Sequence, residues 1–152
     1  MSIEVRPVTD GDFFAWLDLY EKYAEFYDTK LTDQKALLLW SWLTAPEHEE
    51  EGLIAVDDGR IVGLAHFREF ARPLESDRGL FLDDLYVLEE ERGKGVGHAL
   101  IDAVRSRAQQ RGLGVVQWIT ADDNSEARSV YDSVANRTSW VTYEIDLVAK
   151  GA

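Results

Sequence analysis

Two stretches of the chain have residue types that could do chemistry: the adjacent carboxylates Asp83 and Asp84, and the run Arg92-Gly93-Lys94-Gly95-Val96-Gly97. The acids end one half of a predicted strand, Leu80 to Leu88. The run leads from that strand into a predicted helix, Gly95 to Gln110. A glycine-rich loop in that position leaves backbone N–H groups pointing outward at the positive end of the helix dipole, a ready place for an anion. Glycine also lets the backbone approach a phosphate closely and adopt positive φ. Two phosphate motifs are excluded. No Gly-x-x-x-x-Gly-Lys-Ser/Thr string exists, and Gly-x-Gly-x-x-Gly would need glycine at His98 or Leu100. What remains is Arg-x-x-Gly-x-Gly at Arg92, Gly95 and Gly97.

Charge gives the loop a context. The 152 residues carry a net charge of −13, which argues against nucleic acid and against anionic membrane surfaces as partners. Residues 1–60 hold 14 acids and five bases. Residues 92–111 reverse this, with Arg92, Lys94, Arg105, Arg107 and Arg111 against Asp102 alone. The acidic remainder suits a soluble protein and would attract cationic substrates. There is no cysteine, hence no disulfide, no thiolate metal site and no thiol nucleophile. No apolar run is long enough to span a membrane, and the start Met-Ser-Ile-Glu passes directly into a strand pattern. A cytoplasmic location is expected.

The elements that must position these residues follow from periodicity. Ile3 to Val8 alternates as a half-buried strand. Helices are predicted from Asp12 to Phe26 and from Thr32 to Leu43, followed by an acidic loop, Glu47 to Glu51. Leu53–Val56 and Ile61–Phe67 flank Asp57-Asp58-Gly59, a hairpin signal. After the helix to Gln110 come a strand over Val115–Thr120, a short helix from Asn124 to Val134, and a closing strand from Trp140 to Val148. The order β-α-α-β-β-β-α-β-α-β, without repeats or linkers, predicts one α/β domain over residues 1–152, a mixed, mostly antiparallel sheet flanked by helices.

The loop, together with Leu82-Asp83-Asp84-Leu85-Tyr86-Val87 before it and Asn124-x-x-Ala127-x-x-x-Tyr131 after it, resembles the GNAT superfamily of acyl-CoA N-acyltransferases. Leu-Asp-Asp-Leu-Tyr-Val and Trp140-x-x-Tyr143 resemble its polyamine and thialysine N-acetyltransferase branch. The resemblance implies acetyl-CoA as cosubstrate and no metal. Backbone amides of Arg92, Gly93, Lys94, Gly95, Val96 and Gly97 would hold the pyrophosphate. The strand at Leu85, Tyr86 and Val87 would pair with the pantetheine arm, Lys94 and the helix arginines would meet phosphate charge, and Asn124 would contact CoA or cap its helix. A primary amine with a pKa near ~10.4 costs roughly 4–5 kcal/mol to neutralise at pH 7, so a general base is useful. Asp83 is preferred, with Asp84 next; alternation sends the two to opposite faces. Tyr131 would protonate the departing thiolate, and Tyr23, Phe26, Tyr27 and Asp28 would line the acceptor site.

One departure bears on the acceptor pocket: where the family has Gly-Phe after the tyrosine, this chain reads Val134-Ala135-Asn136-Arg137-Thr138-Ser139. His48, His66 and His98 lack metal-ligand spacing and read as surface or satisfied core residues. Trp40, Trp42, Trp118 and Trp140 read as core. A small, cationic amine is the expected acceptor. A protein N-terminus or lysine, and a non-catalytic acyl-CoA-binding domain, remain alternatives. A homodimer is possible by resemblance.

Overall fold

The computed structural model describes residues 2–148. They divide between two compact units, Met1–Ile119 and Thr120–Ala152. The first contains β1 (Ile3–Pro7), α1 (Phe13–Phe26), α2 (Asp33–Thr44), β2 (Glu50–Asp57), β3 (Arg60–Arg72), β4 (Asp77–Val87), α3 (Val96–Gln110) and β5 (Val116–Gln117). The strands form one sheet in the order β1-β2-β3-β4-β5, antiparallel except for the parallel β4–β5 pair. The α/β class and the mostly antiparallel sheet are as the periodicity implied.

Local chemistry sets the boundaries. Asp12 accepts from the Thr9 amide and hydroxyl and pairs with Arg6 at 2.8 Å, fixing the entry to α1. That Arg6 hydrogen bond, more than burial opposes it, holds the Asp12 carboxyl down at about 2. Thr32 caps α2 by accepting from the Lys35 amide, and Pro46 forces Ala45 into extended backbone that stops the helix. Asp58 (φ 51°) and Gly59 (φ 78°) make the two-residue β2–β3 turn, whose positive φ values match the strand twist.

The core lies between sheet and helices. Trp16, Leu53, Ile54, Leu64, Phe67, Leu80, Leu100 and Val104 are buried. Val96, Leu100, Ile101, Val104 and Ala108 form the buried stripe of α3. That helix lies so close to β3 at Gly63 that a Cβ there would come within 3.0 Å of Leu100 and Val96. The tryptophan expectation needs correcting. Trp16 is the fully buried one, whereas Trp42 is 38% and Trp140 86% exposed.

The second unit carries α4 (Ser125–Val134), capped by Asn124 Oδ1 accepting from the Ala127 amide. The predicted closing strand is absent: residues 140–148 form no ladder. Tyr143, Ile145 and Leu147 alternate as strand residues do, yet all are exposed, and alternation without a hydrogen-bonding neighbour makes no strand. β5 is likewise shorter than predicted, Val116–Gln117 instead of Val115–Thr120.

Candidate active site

The loop after β4 is built to present bare backbone. Glu89–Glu91 forms one 3-10 turn, in which the Arg92 amide donates to the Glu89 carbonyl. Arg92 therefore contributes through its side chain instead: Nε donates to the Val87 carbonyl, and the guanidinium lies over the rings of Tyr86 and Phe26 at 5.5 and 5.8 Å. Gly93 (φ 80°) and Gly95 (φ 86°) then adopt left-handed backbone, and a Cβ on either would meet nothing within 4 Å. Beyond them the first-turn amides of α3, at Val96 and Gly97, have no acceptor within the helix. Lys94 is held by Glu91 at 3.0 Å, and Glu91 in turn binds Arg60 of β3. Arg105 and Arg111 are engaged towards the other end of α3, Arg105 with Asp102 and Arg111 with Glu51 and Glu69. The helix arginines thus sit roughly 12–24 Å along the axis from the loop.

Beside the loop the sheet splits. β4 pairs with β5 at Leu80 and Phe81 only, then continues to Val87 alone on that side. The residues from Leu82 to Val87 keep β3 on one edge and offer the other for an extended ligand. Open space before the glycines, free helix amides and an unpaired strand edge together fit a nucleotide-linked pyrophosphate with an extended arm.

At the split stand the acids. The β3–β4 register runs His66 opposite Asp84 but Phe67 opposite Leu82, so Asp83 is the extra residue of a β-bulge. The expectation of opposite faces fails for that reason. Asp83 meets Arg68 Nε at 3.2 Å and Asp84 meets His66 Nδ1 at 2.8 Å, and His66 and Arg68 share one face of β3. Glu50 joins them from β2, directly opposite Arg68.

Their environments differ. Trp16 Nε1 donates to His66 Nε2 at 2.9 Å. Indole is only a donor, so the ring proton of His66 sits on Nδ1 and is donated to Asp84. Tyr20 donates to the same Asp84 oxygen at 2.9 Å, and the Tyr23 hydroxyl also bonds this carboxylate. Burial pushes Asp84 up, but the hydrogen bonds from His66, Tyr20 and Tyr23 outweigh it and leave the carboxyl below its usual range. Burial and the nearby Asp84 charge push both tyrosines strongly upward, so they stay protonated donors. Glu50 goes the other way. Burial first, then hydrogen bonding and repulsion from Asp83, push it up to about 9. At neutral pH Glu50 is a carboxylic acid beside the Asp83 carboxylate.

The acetyltransferase (GNAT) family pattern matches residues 15–135. The chain belongs to this family. It is 32% identical over 144 residues to a D-amino-acid N-acetyltransferase of Saccharomyces cerevisiae, spanning 93% of this chain and 89% of the relative. An L-ornithine N5-acetyltransferase of Arabidopsis thaliana is 35% identical over 89 residues, 59% of this chain and 39% of that protein. An aminoglycoside N-acetyltransferase solved with CoA shares the fold, with a TM-score of 0.82 at 20% identity over 97% of this chain and 96% of that one. The chain is thus an N-acetyltransferase, and membership implies acetyl-CoA as the donor.

Within this GNAT chain the other sequence-based candidates fall as follows. Tyr23 contacts Tyr86, at 5.8 Å, and Tyr27, at 5.0 Å, and Tyr27 feels the Asp84 charge. Phe26 is turned towards Arg92, and Asp28 is exposed just past the end of α1 in left-handed backbone. Leu85 and Val87 lie on the β4 segment that is paired with β3 but extends past its β5 partner. Asn124 and Tyr131 belong to the second unit, one capping α4 and the other within it. Sequence reading missed Glu50, His66, Arg68 and Trp16 as parts of the site. Among the described residues no group of three or more histidines and acids is placed to hold a metal, and no helix is long and apolar enough to cross a membrane.

Proposed function

We propose that this enzyme acetylates the primary amine of a small acceptor carrying positive charge at that amine, with Asp83 as the proton acceptor. The observation that carries the reading is the bulge, which leaves Asp83 without a β3 partner just past Phe81, where β4 also loses its β5 partner. The acid is thereby at the mouth of the split. Acetyl-CoA supplies the acetyl group as a thioester, activated for attack by an amine nitrogen.

The chain's residues do the rest. Amides from Gly93 to Gly97 hold the pyrophosphate, and the free edge at Leu85–Val87 aligns the arm. Asp83 draws in the ammonium group and takes its proton, since a protonated amine has no lone pair to attack with. Asp84, already accepting from three donors, orients Tyr20 and Tyr23 and adds negative potential. Tyr131 supplies the proton to the departing thiolate, a role resting on the Asn124/Tyr131 motif. The yeast relative named for D-amino acids and the plant relative named for ornithine support a small amine.

The test is thiol release from acetyl-CoA across a panel of amines. Asp83→Asn should lower kcat by roughly 10²–10⁴-fold, the range for losing a general base. The deficit should shrink as pH rises and the amine deprotonates unaided. A variant as fast as the parent at pH 7 removes Asp83 from the reaction.

A further inference from the structure

The guanidinium of Arg68 stands in the middle of an acidic site, which is an odd place for it if the acceptor were only a polycation. Its position is not accidental. The side chain crosses the Phe81 ring, with the guanidinium carbon 5.0 Å from the centroid, and Phe81 is the cross-strand partner of Arg68. Nε makes both bonds to Asp83, at 3.3 and 3.2 Å. Among the described residues the terminal nitrogens donate to no protein acceptor, and the side chain is 40% exposed. An arginine serving only to balance Asp83 would present its two-pronged end to the carboxylate, as Arg111 does with Glu51 through both terminal nitrogens at 2.8 and 2.7 Å. Arg68 instead gives Asp83 its inner nitrogen and keeps the prongs for something else.

We propose that Arg68 determines acceptor specificity by binding a carboxylate that the acceptor carries next to its reactive amine, so that the substrate class is α-amino acids. The proposal rests on the reading of Asp83 as the amine's partner. With the ammonium group on Asp83, a carboxylate one carbon away lies beside the terminal nitrogens of Arg68. There it can take two parallel N–H···O bonds, the geometry in which guanidinium and carboxylate match best. The stack on Phe81 holds the guanidinium plane in advance, lowering the ordering cost on binding. Glu50, which keeps its proton at neutral pH, stands opposite Arg68 without repelling the incoming carboxylate as an ionised acid would.

The full chain is assayed by thiol release with matched pairs: phenylalanine against phenethylamine, and methionine against 3-(methylsulfanyl)propylamine, each amino acid in both enantiomers. The quantity read is the ratio of kcat/KM for amino acid over amine. The parent should favour at least one enantiomer of the amino acid. Arg68→Met should collapse that ratio by roughly 10- to 100-fold, the worth of a charge-assisted pair, with Arg68→Lys intermediate. Effects of the substitution on Asp83 act on both members of a pair and cancel in the ratio. An unchanged ratio in Arg68→Met, or a parent that prefers the amines, overturns the role of Arg68 while leaving amine acetylation intact. Failure of every amine and amino acid to release thiol overturns the underlying reading as well.

Discussion

Replacing Glu50 with glutamine should stabilise the protein at high pH and do nothing at low pH. The folded chain keeps the Glu50 proton up to about 9, against 4.5 for an ordinary glutamate, chiefly because burial penalises the charge. Between those values the unfolded chain has lost the proton and the folded chain has not. Stability contributed by this group is therefore complete below 4.5 and declines as pH rises through the window. Taken at full value the decline would reach roughly 6 kcal/mol. Glu50 is only half-buried, and solvent screening brings the expected figure to about 2 kcal/mol. Glutamine keeps the shape and an N–H donor towards Asp83 but has no proton to lose. Urea unfolding of parent and Glu50→Gln at pH 4, 6, 8 and 9 gives the difference, since titrations away from the Glu50–Asp83 pair are shared. The two should coincide at pH 4, and the variant should lead by about 2 kcal/mol at pH 9. A gap that does not change with pH would refute the account of Glu50 as an acid that burial and Asp83 keep protonated.

Gly95→Glu puts both a side chain in left-handed backbone and a negative charge into the anion loop. Acetyl-CoA binding, followed by calorimetry, should be lost while the circular dichroism spectrum persists; normal binding would remove the loop from the donor site. Gly95→Ala should cost about 1–2 kcal/mol of stability from the backbone conformation alone. Trp16→Phe deletes the donor to His66 Nε2. It should cost about 1–3 kcal/mol and let the ring proton exchange between nitrogens, visible in the ¹⁵N shifts of His66; a tautomer fixed on Nδ1 in the variant would show that Asp84 alone sets it.

Much of the fold could be read from local pattern. The Asp58-Gly59 turn, the α3 stripe and the Arg92–Gly97 loop each depend on residues close in sequence, and local chemistry decides them. What was hidden depends on register. Glu50 reads as one of several glutamates in a solvated run, and only the pairing of β2 with an extended β3 sets it opposite Arg68. The bulge at Asp83 is equally invisible, because nothing in Leu-Asp-Asp-Leu says which residue β3 will skip. Trp140 to Leu147 shows the converse: the pattern of a strand is present, but a ladder needs a partner that sequence cannot supply.

The bulge also explains how two adjacent acids come to have different surroundings while sharing a face. In a regular strand they would be separated by direction. Here partners separate them. Asp84 accepts from His66, Tyr20 and Tyr23, which stabilises its charge and makes it a weak proton acceptor. Asp83 has Arg68 on one side and on the other a carboxylic acid that holds its proton. An ammonium group arriving at that pair meets a carboxylate with fewer donors already committed to it, beside a guanidinium with two nitrogens to spare. On the proposed reading, reaction at Asp83 and recognition at Arg68 would both follow from one displaced residue in β4.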